Sequence, residues 1–377
     1  MGFWWFGRKS APPDMRPFVP AWLNTAEAEE GFARSYDAQY CEVYQRNPVG
    51  QRAVRLVAGM LGALTIDAIE GDPLTGSGQA AAGLIRRDGL LEGIAANLLL
   101  HGNAYVQLLA DDRDRPLELC QLRPERVSVV SDERGWPVGY LYRTAGQARR
   151  IDKADPLGRT QVAHIKALNP RDDHYGLGCL DAAIGGASVH NRASRWNKAL
   201  LDNAARPSGA LSYEPADGSV LSADQFKRLK DELTTEFSGS GNAGRPMLLE
   251  GGLKWQALSL TPADMDFVAL KEGAARDIAL AFGVPPVLVG LPGDATYANA
   301  REAGRALYRQ TILPMAARIL NALEAMLGEW LGPVKLAVDT DQLSELADDR
   351  AKLWEAVGAA SFLSDAEKRD MLGFGEK

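Results

Sequence analysis

The sequence predicts an α+β fold, an antiparallel sheet with helices, extended by two long helical stretches. Three observations carry this. Apolar residues recur at helical spacing as far as Leu100. The period then changes to that of strands between Asn103 and Leu168. Beyond Leu180 it returns to helix, in two stretches poor in large apolar residues that bracket a short mixed segment.

Residues 1–40 are punctuated by Pro12, Pro13, Pro17 and Pro20 and are expected to form an extended arm, with a short helical turn after Asn24 that carries Glu27, Glu29 and Glu30 on a solvated face. From residue 48 to 69, Val54, Val57, Leu61 and Leu64 recur at helical spacing, and "GDPLTGSG" is a loop. A second helix is expected over residues 84–100, closing at His101 and Gly102, where glycine allows the turn into a strand. Strands follow at 103–111 and 117–122. "RVSVVSDERGWPVGYLYRT" reads as a hairpin turning at Asp132, Glu133, Arg134 and Gly135, and 161–168 is one more strand.

The helix from Leu180 to about Ala204 is expected to be roughly 35–40 Å long. Its first part holds Ala182, Ala183, Gly185, Gly186 and Ala187, and its lower half Asn191, Arg192, Arg195, Lys198 and Asp202. A helix this long without a wide apolar stripe is a solvated spacer or packs against copies of itself. Pro207 breaks it. Ser222 with Gln225 matches a capping box that opens a helix to about Phe237, and "PMLLEGGLKWQALSL" alternates as a hairpin turning at Gly251 and Gly252. Thr261 as N-cap and Pro262 in the first turn open the second long helix, which stops before Pro285 and Pro286. A third helix is expected over 298–331, kinked at Pro314, with Leu307, Ile312, Ile319, Leu323, Met326 and Trp330 on its buried face. "PVKLAVD" is a strand expected to return to the first sheet. Two terminal helices follow, the second opened by the capping box of Ser364 and Glu367.

Composition limits the function classes. A chain of 377 residues, 46% hydrophobic and 24% charged, has room for more than one globular domain. A net charge of -7 lacks the basic balance of proteins that grip nucleic acid, so any contact with DNA is expected to be loose. Cys41, Cys120 and Cys179 form no disulfide framework or zinc spacing and fit a reducing cytoplasm. His101, His164, His174 and His190 make no HxxxH or HExxH arrangement, so neither a metal nor a cofactor is expected. No apolar run reaches the length of a membrane span. The start, "MGFWWFGRKS", lacks the apolar core of a signal peptide and has Phe6 where a myristoylation signal needs Ser or Thr. Its aromatics, Phe3, Trp4, Trp5 and Phe6, either dock on a partner or neighbouring subunit or fold onto their own domain. There is no GxxxxGK[ST] and no GxSxG. "GSGNAGR" has the glycines of a phosphate loop without the flanking strand and helix.

From "LLLHGNAYVQLLADDRDRPLELCQLRPERVSVV" onward the chain resembles the portal proteins of tailed double-stranded DNA phages, of the Hong Kong 97-like group. The resemblance continues through "VAHIKALNPRDDHYGLGCLDAA", "NKALLDNAARPSGAL" and "GNAGRPMLLEGGLKWQALSLTPADMDFV". It is strongest at "RDIALAFGVPPVLVGLPGDATYANAREAGRALYRQTILPMAARI", and it covers roughly residues 40–375. No single motif decides it; the ordered set does. The short chain and its Ala-, Gly- and Arg-rich composition also fit the portal of a gene transfer agent.

The resemblance implies a portal-type protomer. Residues 1–40 would be an arm outside the resemblance, 41–176 an α/β wing completed by 331–341, and 177–205 with 261–283 the stem helices. Residues 206–260 would be a small α/β clip, 284–330 the tunnel loop and kinked helix, and 342–377 a short helical crown. It further implies a ring of twelve at one capsid vertex, a channel for double-stranded DNA in packaging and ejection, assembled in the bacterial cytoplasm. The implied partners are the terminase large subunit, the head-tail adaptor, the major capsid protein and further copies of the chain.

On this reading Asp294, Thr296, Tyr297, Asn299 and Arg301 face DNA from the tunnel loop, and Arg192, Arg195 and Lys271 are guiding cations of the stem. Each of these cations, and Arg301, has an alternative reading as a surface charge in an intersubunit ion pair. Phe237 and Trp255 are the clip's partner contacts, and Trp4 and Trp5 an N-terminal docking point. No catalytic residue is expected. The competing readings are a monomeric adaptor and a hydrolase using Asp173 and His174.

Overall fold

A computed structural model of the chain describes residues 35–71, 76–87, 89–144, 146–202, 209–213, 253–257, 266–291 and 296–372, with isolated positions between 222 and 231. The chain divides into two compact units, one of Met1–Ile184 with Ile278–Lys377, the other of Gly185–Asp277. Residues 1–34 of the expected arm, with Glu27, Glu29 and Glu30, and also Thr261 and Pro262, lie outside the described residues, while the last residues assigned to the arm, Tyr36–Tyr40, are helical.

The first unit opens with α1 (Tyr36–Tyr40), capped by Ser35 and continued by a π turn, Cys41–Gln45. Helix α2 (Pro48–Gly62) starts where the Asn47 side chain accepts from the amides of Val49 and Gly50, both at 3.0 Å, with Pro48 in the first turn where its missing N–H costs nothing. Ala53, Val54, Val57, Ala58 and Leu61 form its buried stripe. The helix stops at Gly62, short of the end that its apolar spacing predicts. Ile66–Gly71 is instead strand β1, because its partner, β10 (Val334–Val338), arrives from far along the chain and pairs with it antiparallel. The returning strand therefore joins β1 in a two-stranded sheet and does not extend the larger one.

The single helix expected over 84–100 is two helices, α3 (Ser77–Ile85), which ends at Arg86, and α4 (Leu90–His101), which starts after Gly89 with its φ of 75°. Arg86 between them donates to the Ile66 carbonyl at 2.9 and 2.7 Å, tying α3 to β1. Strands β2 (Asn103–Ala110), β3 (Pro116–Leu122) and β7 (Val162–Lys166) make one antiparallel sheet, ordered β3-β2-β7. Strands β4 (Val127–Ser131), β5 (Pro137–Thr144) and β6 (Gln147–Asp152) make another. The sequence reading has no strand at β6, where Ile151 is the one buried residue and the period-two signal is faint. Tyr105, Leu122, Val127, Val129, Tyr140, Ile151 and Val162 from both sheets form a shared apolar core.

Three tight turns in this unit use one device. The side chains of Asp111, Asp132 and Asp155 each accept from the backbone amides two and four residues ahead, at 2.8–2.9 Å. The fourth residue of each is left-handed: Asp114 (φ 59°), Gly135 (φ 81°) and Gly158 (φ 84°). The last turn also anchors a helix. Arg159 lies 3.8 Å above the Trp330 ring, and the Trp330 indole donates to the Thr160 carbonyl at 2.8 Å.

A buried polar junction fixes the chain entering the next helix. Asn103 accepts on Oδ1 from the Gly176 amide (2.8 Å) and from His164 Nε2 (3.0 Å). Its amide nitrogen donates to the Gly176 carbonyl (3.1 Å), the His101 carbonyl (3.2 Å) and His101 Nδ1 (3.1 Å). Because Oδ1 only accepts and the amide nitrogen only donates, the His164 proton sits on Nε2 and the His101 Nδ1 is bare.

Burial holds the His101 pKa down at about 4. Burial first, then the charges of Lys166, His101 and His174, holds that of His164 well below its usual value. Below about pH 6.5 the unfolded chain therefore takes up protons that the folded chain refuses, and stability falls with pH. We expect the melting temperature to fall steadily from pH 6.5 towards pH 4, and less steeply in His101→Gln. A profile with the same slope in both proteins would contradict the junction as the source.

Helix α5 (Leu180–Asp202) follows, bridging into the second unit, whose other described elements are β8 (Gly209–Tyr213), β9 (Leu253–Ala257) and most of α6 (Phe267–Ala281). Strand β9 pairs with β8, Leu211 opposite Trp255. The expected hairpin turn at Gly251 and Gly252, and the strand before it, lie outside the described residues. Ser222 and Gln225 do exchange the two hydrogen bonds of a capping box, at 2.9 and 3.3 Å.

Back in the first unit, the expected third helix is α7 (Tyr297–Leu307), a π turn (Tyr308–Ile312) and α8 (Leu313–Leu331). The π turn sits just ahead of Pro314. A proline removes one backbone donor and crowds the carbonyl four residues back, and widening the preceding turn relieves both. Leu307, Ile312, Ile319, Leu323 and Met326 are buried, while Trp330 is only partly accessible to packing and keeps some surface in solvent. Helices α9 (Ala347–Ala359) and α10 (Asp365–Met371) close the chain, with Ser364 and Glu367 exchanging the capping-box bonds at 2.8 and 3.3 Å. Among the described residues, no helix is long and apolar enough to cross a membrane.

Candidate functional site

Two regions hold the residues singled out from sequence. The first is the helix pair of the second unit. Trp196 of α5 stacks on Phe267 of α6, ring centroids 6.5 Å apart. Further along, Gly185, Gly186 and Val189 face Leu270, Gly273 and Ala274 across an open cleft of about 310 Å³. Small residues leave this space because nothing beyond a Cβ projects into much of it. Arg192 and Arg195 are exposed on α5, and Arg195 Nε donates to the Asn191 carbonyl one turn back at 3.4 Å. Lys271 is half-buried on α6, near enough to His190 that its charge, after burial, lowers the histidine's pKa.

The second region is the segment from the end of α6 to α7. Gly283 (φ 65°) ends the helix, and Pro286–Val289 makes a single 3-10 turn closed by Gly290 (φ 81°). Thr311 in the π turn donates from its hydroxyl to the Gly283 carbonyl at 2.9 Å, which fixes the base of the loop to the helix that returns from it. Thr296 is the N-cap of α7, accepting from the Asn299 amide at 3.2 Å. Its hydroxyl thus has a structural task, whichever surface the loop faces. Thr296 and Asn299 are exposed in the first turn. Tyr297 begins the helix. Arg301 is about one turn further and pairs with Asp348 at 3.4 Å, so this cation is in an ion pair within the chain.

Asp294, Phe237, Trp4 and Trp5 lie outside the described residues. Trp255 has a backbone position in β9 and no more is described of it. Asp173 is exposed, while His174 is buried at 2% exposure. Among the described residues, no group of three or more His, Cys, Asp or Glu side chains could hold a metal ion.

Sequence reading misses the charged network around Arg301. Arg305 reaches Asp348 at 2.9 Å and Glu302 at 2.9 Å, and Arg309 reaches Asp349 at 2.6 Å. The signal is present, as arginines four apart in "REAGRALYR" and paired aspartates at 348 and 349, but nothing local says that the two segments meet.

The fold and this ordered set of elements are those of a portal-type protomer, and comparison with known proteins agrees. The family model for the phage portal protein matches residues 48–373, and the chain belongs to that family. A chain from the neck of a native gene transfer agent particle, computed with C12 symmetry, is 45% identical with a TM-score of 0.69, covering 92% of this chain and 96% of its own. An uncharacterized protein of Rickettsia felis is 34% identical over 93% of this chain and 95% of its own length. A Hong Kong 97 family phage portal protein from Corynebacterium diphtheriae, 17% identical with a TM-score of 0.55 over 83% of this chain and 98% of its own, shares the fold.

Proposed function

We propose that the chain is the portal subunit of a phage or gene transfer agent particle, twelve copies closing into a ring at one capsid vertex. The ring would conduct double-stranded DNA during packaging and ejection and offer docking sites to the terminase large subunit, the head-tail adaptor and the major capsid protein. Its role is structural and mechanical, with no reaction of its own.

The observation that carries this is the apolar surface that a single chain leaves uncovered on the helix pair. Trp196, Val268 and Leu270 are 52%, 71% and 48% exposed. Neighbours related by a closed rotation would cover such surface with a different patch of the next copy, which yields a ring. The similarity to a chain in a neck of twelvefold symmetry supports the same count.

On this reading residues 41–176 with 331–341 are the wing, 177–205 with 261–283 the stem and 206–260 the clip. Residues 290–300 are the tunnel loop and 342–377 the crown. The net charge of -7 suits a conduit, because each phosphate that a cation neutralises adds affinity that would hold the DNA back.

Electron micrographs of the purified protein are expected to show rings with a central hole. Deleting residues 293–298 is expected to leave those rings intact while lowering the DNA content of particles. A species that keeps the mass of one chain under all conditions would establish a monomeric adaptor instead. Particles that fill and retain DNA normally after the deletion would take the tunnel role away from the loop.

A further inference from the structure

Arg301, Arg305 and Arg309 stand four residues apart along α7 and its π turn, and all three turn toward the first turn of α9. Asp348 takes Arg301 at 3.4 Å and Arg305 at 2.9 Å. Asp349 takes Arg309 at 2.6 Å and lies 3.7 Å from Arg305 Nε. The central arginine is 12% exposed, the outer two 54% and 56%. With Glu302, which also pairs with Arg305 at 2.9 Å, three carboxylates hold the three guanidinium groups, and only Asp348 and Asp349 reach the outer two, which keep about half of their surface in solvent. The aspartates are also well placed on their own helix, since its N-terminal end favours negative charge.

A guanidinium fork accepts a carboxylate or a phosphate in the same way. We propose that Asp348 and Asp349 occupy the arginine row in place of DNA phosphates, so that a duplex reaching Arg301 and Arg309 competes with helix α9 for them. The proposal rests on the reading of this chain as a DNA conduit. It makes contact at the loop-bearing helix weak by construction, because each phosphate must displace an internal anion. It also couples the two segments. DNA that draws the outer arginines away loosens α9, while buried Arg305 keeps the helices in register.

The test uses the full chain and a short fluorescent DNA duplex, with binding followed by anisotropy across a salt series. Asp348→Asn with Asp349→Asn is expected to bind about tenfold tighter at roughly 0.1 M salt, and the log–log salt slope to steepen by about 2, one for each outer arginine released. Adding Arg301→Gln and Arg309→Gln should return both to the native values. Asp341→Asn, which breaks the exposed pair of Asp341 with Arg350 of α9, should leave binding unchanged. In the native chain, duplex should speed amide hydrogen exchange within Ala347–Ala359.

Thermal melts of each variant establish that it is folded. A double aspartate variant that binds no tighter than Asp341→Asn overturns the latch and leaves the conduit reading, which the ring and packaging measurements decide. Absence of duplex binding by every variant at low salt overturns the latch and removes this helix from the DNA path. Rings without a filled particle would count against the conduit reading itself.

Discussion

Replacing Gly102 with alanine is expected to cost about 3–5 kcal/mol of stability, the upper end of what a single substitution does. Two causes add. Gly102 sits at φ 78°, where a Cβ meets the following carbonyl and costs about 1–2 kcal/mol. The larger cause is contact. A Cβ there would overlap the backbone of Leu177 and Gly178 and the carbonyl of Gly176, none of which is the free end of a side chain. That backbone is held from its other side, since the Cys179 amide donates to the Leu99 carbonyl at 2.7 Å and the Ala167 amide to the Gly102 carbonyl at 2.8 Å.

Gly89→Ala isolates the first cause. Gly89 has a φ of 75°, yet nothing lies within 4 Å of its missing Cβ. It is expected to lose about 1–2 kcal/mol only. Chemical denaturation of the two variants checks this. Equal losses would mean that the close approach at Gly102 relaxes without cost.

Asn103→Leu is expected to lose a comparable amount, on the order of 3–5 kcal/mol, for a different reason. Asn103 is 1% exposed, and its amide group is the partner of the Gly176 amide and carbonyl, of the His101 ring and of His164 Nε2. Leucine fills a similar volume and keeps water out, so these groups stay buried and lose their partner. Each orphan costs about 1–3 kcal/mol, partly offset by the apolar gain. Asn103→Asp restores the acceptor for the Gly176 amide and His164 but loses the donor, and it should fall between. It should also raise the pKa of His164, because a carboxylate beside an imidazole favours the charged ring. Titration of Asn103→Asp and the native chain by NMR, alongside denaturation, would reveal that shift. Leucine tolerated without loss would show that the junction is not a stabilising element.

The substitutions at Gly102 and Asn103 probe one joint from opposite sides. It connects the sheet of the first unit to the start of α5, within the first unit's own residues, and it uses close backbone approach plus a saturated amide. The ion pairs around Arg301 are of another kind. Arg301 and Asp348 are each about half exposed, and such pairs are typically worth about 0–1 kcal/mol, so their rearrangement is within reach of a competing anion. Rigidity at the joint and exchange at the arginine row are compatible within one unit because their energies differ severalfold.

Much of this is legible in the order of residues. The turn residues Asp132 to Gly135, the capping boxes at Ser222 and Ser364 and the helix end at Gly102 are local signals, and each appears where expected. Thr296 reads as a DNA-facing residue of the loop, and its local geometry adds a cap at the start of α7. The long weakly apolar helix from Leu180 is also plain in the periodicity.

What the sequence alone determined was therefore whatever a few neighbouring residues settle. Caps, tight turns and helical stripes depend on contacts within a turn or two of the chain, and an ordered set of such pieces was enough to resemble the portal family. Only the tertiary structure decided the pairings between distant segments. Ile66–Gly71 is a strand because Val334–Val338 lies beside it, β9 pairs across an insertion with β8, and Arg301 meets Asp348. Those outcomes follow from hydrogen-bond and charge partners brought together by the whole fold, and no local pattern specifies which partner arrives.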